Sequence, residues 1–195
     1  MIVKKTYEAP QFCHREILRY AGCKQADAAV ECLLAECLQE AQKVLTYSVC
    51  YRELDVTIDK DVCDFQIFRV RSETLAHNLK GCEKAIVFAA TVGVGMDRLM
   101  EKYSCLGASK ALFLQAIGAE RIEALCDTFC DWVKDAYNAR LMPRFSPGYG
   151  DLPLETQKEL FRVLDCQRQI GLTLNRSLSM SPSKSVTAFI GLKNG

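Results

Sequence analysis

At 195 residues, 49% of them hydrophobic, the chain is long enough to bury a substantial core as one large domain or two small ones. Its 25 basic and 24 acidic residues leave a net charge of +1 without a run of like charges, which argues against a nucleic-acid partner. The longest uncharged apolar run, Ala85 to Met96, has 12 residues against the roughly 20 that a spanning helix needs, and the opening MIVKKTYEAPQF is too charged for an export signal. These features predict a cytoplasmic protein outside the membrane.

In chain order, Phe12–Tyr20 reads as a short helix stopped by Gly22, and Gln25–Leu45 as a long one with Val30, Leu33, Leu34, Cys37, Leu38 and Ala41 at helical spacing. The period then changes to two. Tyr47, Val49 and Tyr51 alternate, the pattern slips at Arg52–Glu53, and Leu54, Val56 and Ile58 resume it, which predicts a strand with a bulge or break. Cys63–Val70 is a second strand candidate, Ser72 starts a helix to about Leu79, and Gly81 stops it. Lys84–Val92 is apolar on consecutive residues, as in a strand covered on both faces. It runs into GVGMD, where Arg98 takes the place of the third glycine of a dinucleotide loop, so a tight strand-to-helix turn is expected. Ser109–Asn138 carries the longest helical stripe, from Phe113 to Tyr137. A later helix would take Asp151 as its N-cap with Pro153 in its first turn, and Ser185–Ile190 reads as a strand. Residues 1–195 are expected to form a single α+β domain.

Eleven cysteines, an odd number with no C-x-x-C spacing, point to reduced thiols. The nearest pairs, Cys126 with Cys130 and Cys32 with Cys37, fall in helical patterns where a cysteine packs as a small apolar residue. With His14 and His77 as the only histidines, no metal site is expected.

Residues 144–151, RFSPGYGD, interrupt two helical stretches with a cation, two rings, a proline and two glycines. Pro147 fixes one backbone angle and Gly148 allows a left-handed one, so such a loop can aim its main chain at a ligand. Arg144 offers a planar fork for a carboxylate or phosphate, and Phe145 and Tyr149 offer flat apolar surface. The plainer reading is an ordered connector, with Arg144 on the preceding helix's last carbonyls and Tyr149 in the core.

RFSPGYGDLP resembles the R-x-x-x-G-Y signature of the activation domain of cobalamin-dependent methionine synthase. Thr156-Gln157-Lys158, Leu164-Asp165, Ile170 to Leu174, and Met180-x-Pro182-x-x-Ser185-Val186 follow in the order that family uses. Upstream, Ile122 to Phe129 is similar to the family's helix with a ligand-facing glutamate, and ILRYAG (Ile17 to Gly22) to its free-standing members. The resemblance implies a mixed or antiparallel sheet flanked by long helices. It implies an S-adenosylmethionine site, with Arg144 on the methionine carboxylate, Gly148 and Tyr149 shaping the loop, Glu123 as the upstream acid, and Ser185 nearby. It also implies a corrinoid or methionine synthase partner whose cobalamin is reactivated, a flavodoxin- or ferredoxin-like electron donor, and no catalysis by this chain alone. The chain departs from the family in lacking acids just before Arg144, where Asn138 to Pro143 reads NARLMP, and in ending at Gly195 without an aromatic strand, which implies a more open pocket, a lower affinity or a different ligand. Two other functions fit the residues: an independent S-adenosylmethionine-dependent methyltransferase with Glu123, Asp151 or Tyr149 as base, and a docking protein for a cobalamin carrier.

Overall fold

A computed structural model describes residues 1–193. Five strands form a central sheet in the order β1 (Val3–Thr6), β2 (Ser48–Asp55), β6 (Lys84–Thr91), β10 (Ser185–Lys193), β7 (Arg140–Leu141), with every neighbour antiparallel. One face packs on the helices α1 (His14–Tyr20), α2 (Ala28–Gln42), α4 (Val94–Ser104) and α5 (Ala108–Tyr137). The other is covered by a small sheet of β3 (Thr57–Asp59), β4 (Val62–Asp64) and β5 (Arg69–Arg71), with α3 (Glu73–Asn78), α6 (Thr156–Leu164) and α7 (Cys166–Ile170). A hairpin of β8 (Thr173–Leu174) and β9 (Met180–Ser181) completes this α+β architecture.

Two separate cores explain the slip in the β2 pattern. Val49 and Tyr51 face the core under α5, whereas Cys50, Leu54 and Val56 face the core under α3 and α6. The backbone needs no bulge: Arg52 and Glu53 stay in register with Val87 and Ile86. What switches is the face that carries the apolar residues, because the first core fades where the second begins. The central strand β6 is buried on both faces, alternating Ile86, Phe88 and Ala90 toward one core with Ala85, Val87 and Ala89 toward the other. The deepest contacts cluster at Phe129, fully buried with its ring 4.8 Å from Phe88 and 5.4 Å from Tyr51.

Three local expectations are corrected. Cys63–Val70 is two short antiparallel strands, β4 and β5, because Gln66 turns left-handed at φ 67° between them. The helix after the RFSPGYGD loop begins at Thr156, and Asp151 does not cap it. The helix predicted from Gln25 starts at Ala28, where Asp27 accepts from the Val30 N–H at 2.9 Å. In GVGMD, Gly93 takes a left-handed φ of 86° as the N-cap of α4, and a Cβ on Gly95 would run into the carbonyl of Val44. Both glycines thus serve turn geometry and close packing. Among the described residues no helix is long and apolar enough to cross a membrane, and no group of three His, Cys, Asp or Glu side chains could hold a metal.

Candidate functional site

Helix α5 ends on left-handed Asn138, and the chain then rounds the edge of the central sheet. Phe145 exchanges two backbone hydrogen bonds with Phe189 of β10, at 3.0 and 2.8 Å, which fixes where the loop crosses. Gly148, at φ 91°, donates to Leu152 O at 2.9 Å, and Tyr149 donates to Ser146 O at 3.2 Å. Short helix α3 ties down both ends of this turn. Asn78 Nδ2 donates to Pro143 O at 3.2 Å. At the far end Asp151 accepts from Ser72 Oγ and the Glu73 N–H, both at 2.6 Å, and from the Thr74 N–H and hydroxyl. Asp151 therefore caps a helix 77–79 residues earlier in the chain. The Ser72 and Thr74 hydroxyls, with the two backbone N–H groups, hold its carboxyl well below the usual carboxylate range.

The loop aims Arg144 back at α5. Its Nη2 lies 2.9 Å from Glu123 Oε2 and its Nη1 2.7 Å from Asp127 Oδ1. The two acids are four residues apart and so share one face of the helix. Arg144 does not rest on the helix's terminal carbonyls, and Tyr149 is 69% exposed, so neither feature of the plain connector is present. Burial pushes the nearby Cys126 and Cys130 thiols up, against the opposing pull of Arg144, which keeps both in the poorly nucleophilic thiol form.

Arg144 and Glu123 form part of the wall of a cleft of about 510 Å³, in the size range of small-molecule sites. Phe145, Ser146, Pro147 and Tyr149 line one side, Gln157 of α6 and Met180 another, and Ser185, Val186 and Thr187 of β10 the floor. Gly148 shapes the turn without lining the cleft. Ser185 lines it, but its hydroxyl sits 2.8 Å from both Thr91 Oγ1 and Pro182 O and is already engaged. Two buried polar atoms of the lining residues, Gln157 Oε1 and Thr187 Oγ1, have no partner among the described residues. Upstream of the Phe145–Phe189 bridge, β10 has no strand on its cleft side among the described residues. A larger cleft of about 740 Å³ lies between α3 and the β3–β4 turn, but none of its lining side chains carries such an orphaned atom.

Asp127, Gln157 and Thr187 were missed as candidates. The four-residue step from Glu123 would have shown Asp127. Gln157 and Thr187 carry no local signal, since only the fold brings α6 and β10 to the loop.

The description "Vitamin B12 dependent methionine synthase, activation domain" belongs to the family model that matches residues 69–194. A solved structure described as the MetH reactivation domain bound to AdoHcy superposes with a TM-score of 0.71, over 98% of this chain and 78% of its own, at 13% sequence identity. At that identity the likeness speaks for the fold. No curated protein matches the sequence. The family match spans well over half of the chain and includes the whole RFSPGYGD loop, α6 and the floor strand. The chain thus belongs to the activation-domain family of vitamin B12 dependent methionine synthase.

Proposed function

We propose that the cleft binds S-adenosylmethionine and presents it to a cobalamin-carrying partner, with residues 1–195 acting as one unit because both cores share the central sheet. The carrying observation is the guanidinium of Arg144 beside the carboxylate of Glu123 on one wall of the cleft. Together they match the carboxylate and ammonium of an amino acid. The remaining wall suits the nucleoside: Phe145 and Tyr149 offer ring surface, while Gln157, Thr187 and the open β10 edge offer polar groups that lack partners. The similar MetH domain is described as bound to AdoHcy, the demethylated form of this ligand, which supports the reading.

When bound, the ligand supplies a methyl group which, with one electron from a flavodoxin- or ferredoxin-like donor, would return the partner's cob(II)alamin to methylcobalamin. The chain's own residues bind and orient. A ligand carboxylate would share the guanidinium of Arg144 with Glu123 and Asp127, which engage only its Nη1 and Nη2 atoms. A separate methyltransferase would need a free base, and the Asp151 carboxylate is committed to α3. The test uses a corrinoid methyltransferase held as cob(II)alamin, a one-electron reductant and S-adenosylmethionine. Methylcobalamin should form with the wild-type chain and far more slowly with Arg144→Ala. Equal yields with and without the chain would contradict the proposal.

A further inference from the structure

Among the described residues three lysines are half-buried, Lys5, Lys110 and Lys184. Two of them have partners. Lys5 lies 3.6 Å from the centroid of the Trp132 ring, and Lys110 pairs with Glu40 at 2.7 Å, which pushes its ammonium above the usual range. The Lys184 Nζ makes no ion pair, hydrogen bond or ring contact among the described residues, and the only charge that reaches it is that of Asp97 on α4. Both Asp97 oxygens are engaged, accepting from the Ser183 N–H and hydroxyl at 2.7 Å. The Lys184 carbonyl accepts from the Val92 N–H at 3.1 Å, so the backbone is fixed from β6 as well as from α4. Its stem lies against α5 at Gly118, where a Cβ would stand 2.9 Å from Cγ and Cε. Burial pushes the Lys184 ammonium below its usual range, against the opposing pull of Asp97.

We propose that Lys184 is a modification site, the lysine of this chain that acyl phosphates acylate first. A lysine reacts through its unprotonated amine, and a half-buried one without an ion partner gives up its proton most readily. The proton goes to solvent and the Nζ lone pair attacks the carbonyl carbon. The C–N bond forms, the C–O bond to phosphate breaks, and inorganic phosphate leaves with that electron pair. The product is a neutral amide one residue from Ser185 in the cleft wall, and Asp97 loses its opposing charge. None of this depends on which ligand the cleft takes.

The experiment incubates the chain with acetyl phosphate over a range of pH and reads the acetylation of each lysine by mass spectrometry. Near pH 7 Lys184 should react roughly threefold or more faster than the exposed lysines, and the advantage should vanish near about pH 10.5, where the exposed amines also deprotonate. Gly118→Ala drives a Cβ into the stem, and alanine is the better helix former, so this variant should fold while its Lys184 reacts like an exposed lysine. Ser183→Ala frees one Asp97 oxygen for the ammonium and should slow Lys184 below wild type. Labelling of Lys184 no faster than that of the exposed lysines near pH 7 would overturn the inference. So would an advantage that persists at high pH or in Gly118→Ala.

Discussion

Helix α5 carries two arginine–carboxylate clusters within one turn of each other, and they are built in opposite ways. In the first, Arg121 is fully buried and Glu120 is 4% exposed. Arg121 donates to both Glu120 oxygens and to the carbonyls of Pro10 and Gln11, and its guanidinium lies 4.1 Å from the Phe12 ring centroid. Glu120 also accepts from the Cys13 N–H at 3.1 Å. Donors and acceptors are saturated by the segment that the pair pins to the helix. In the second, Arg144 keeps a quarter of its side chain exposed and meets two surface carboxylates and the Cys130 sulfur beside a cleft. A buried, saturated ion pair holds structure, whereas a half-exposed one with surplus acid is free to exchange a partner for a ligand.

Breaking the first cluster should have the largest effect. Arg121→Ala leaves Glu120 buried without its counter-charge and should cost about 3–5 kcal/mol in denaturant unfolding. Arg144→Ala should leave the unfolding midpoint nearly unchanged and weaken S-adenosylmethionine roughly ten- to a hundredfold, the loss of a charge-assisted contact. If instead Arg144→Ala unfolds the protein and Arg121→Ala does not, the contrast is wrong. Gly148→Ala forces a side chain onto φ 91°, with its Cβ 3.2 Å from Leu154 Cδ1, and should cost about 1–2 kcal/mol of stability together with some affinity. The smallest effect concerns the tether at Asp151. Its folded pKa lies below the ordinary value of 3.8, so its stabilisation is fully present above about pH 4 and is lost as pH falls toward the folded value. Melting temperature against pH should therefore fall less steeply below pH 4 for Asp151→Asn than for wild type.

The parts of the candidate cleft that are contiguous in the chain were legible as a loop. Arg144, Gly148 and Tyr149 announce a loop by composition, and the fold class follows from the change of period after Leu45. Features that depend on distant partners were not. Asp151 before a proline looks like the cap of the next helix, yet its carboxylate is spent on α3, and no local pattern distinguishes the two. The slip at Arg52–Glu53 looks like a bulge because periodicity assumes one core, while β2 serves two. Gln66 hid the turn between β4 and β5, since a left-handed glutamine has no compositional mark. Gln157 and Thr187 line the cleft only because α6 and β10 meet the loop.

The most direct test is calorimetric titration of the wild-type and Arg144→Ala chains with S-adenosylmethionine. The account predicts saturable one-to-one binding to wild type, and binding to the variant weaker by at least tenfold at an unchanged melting temperature. Equal affinity in the two proteins, or no binding to wild type, would contradict it.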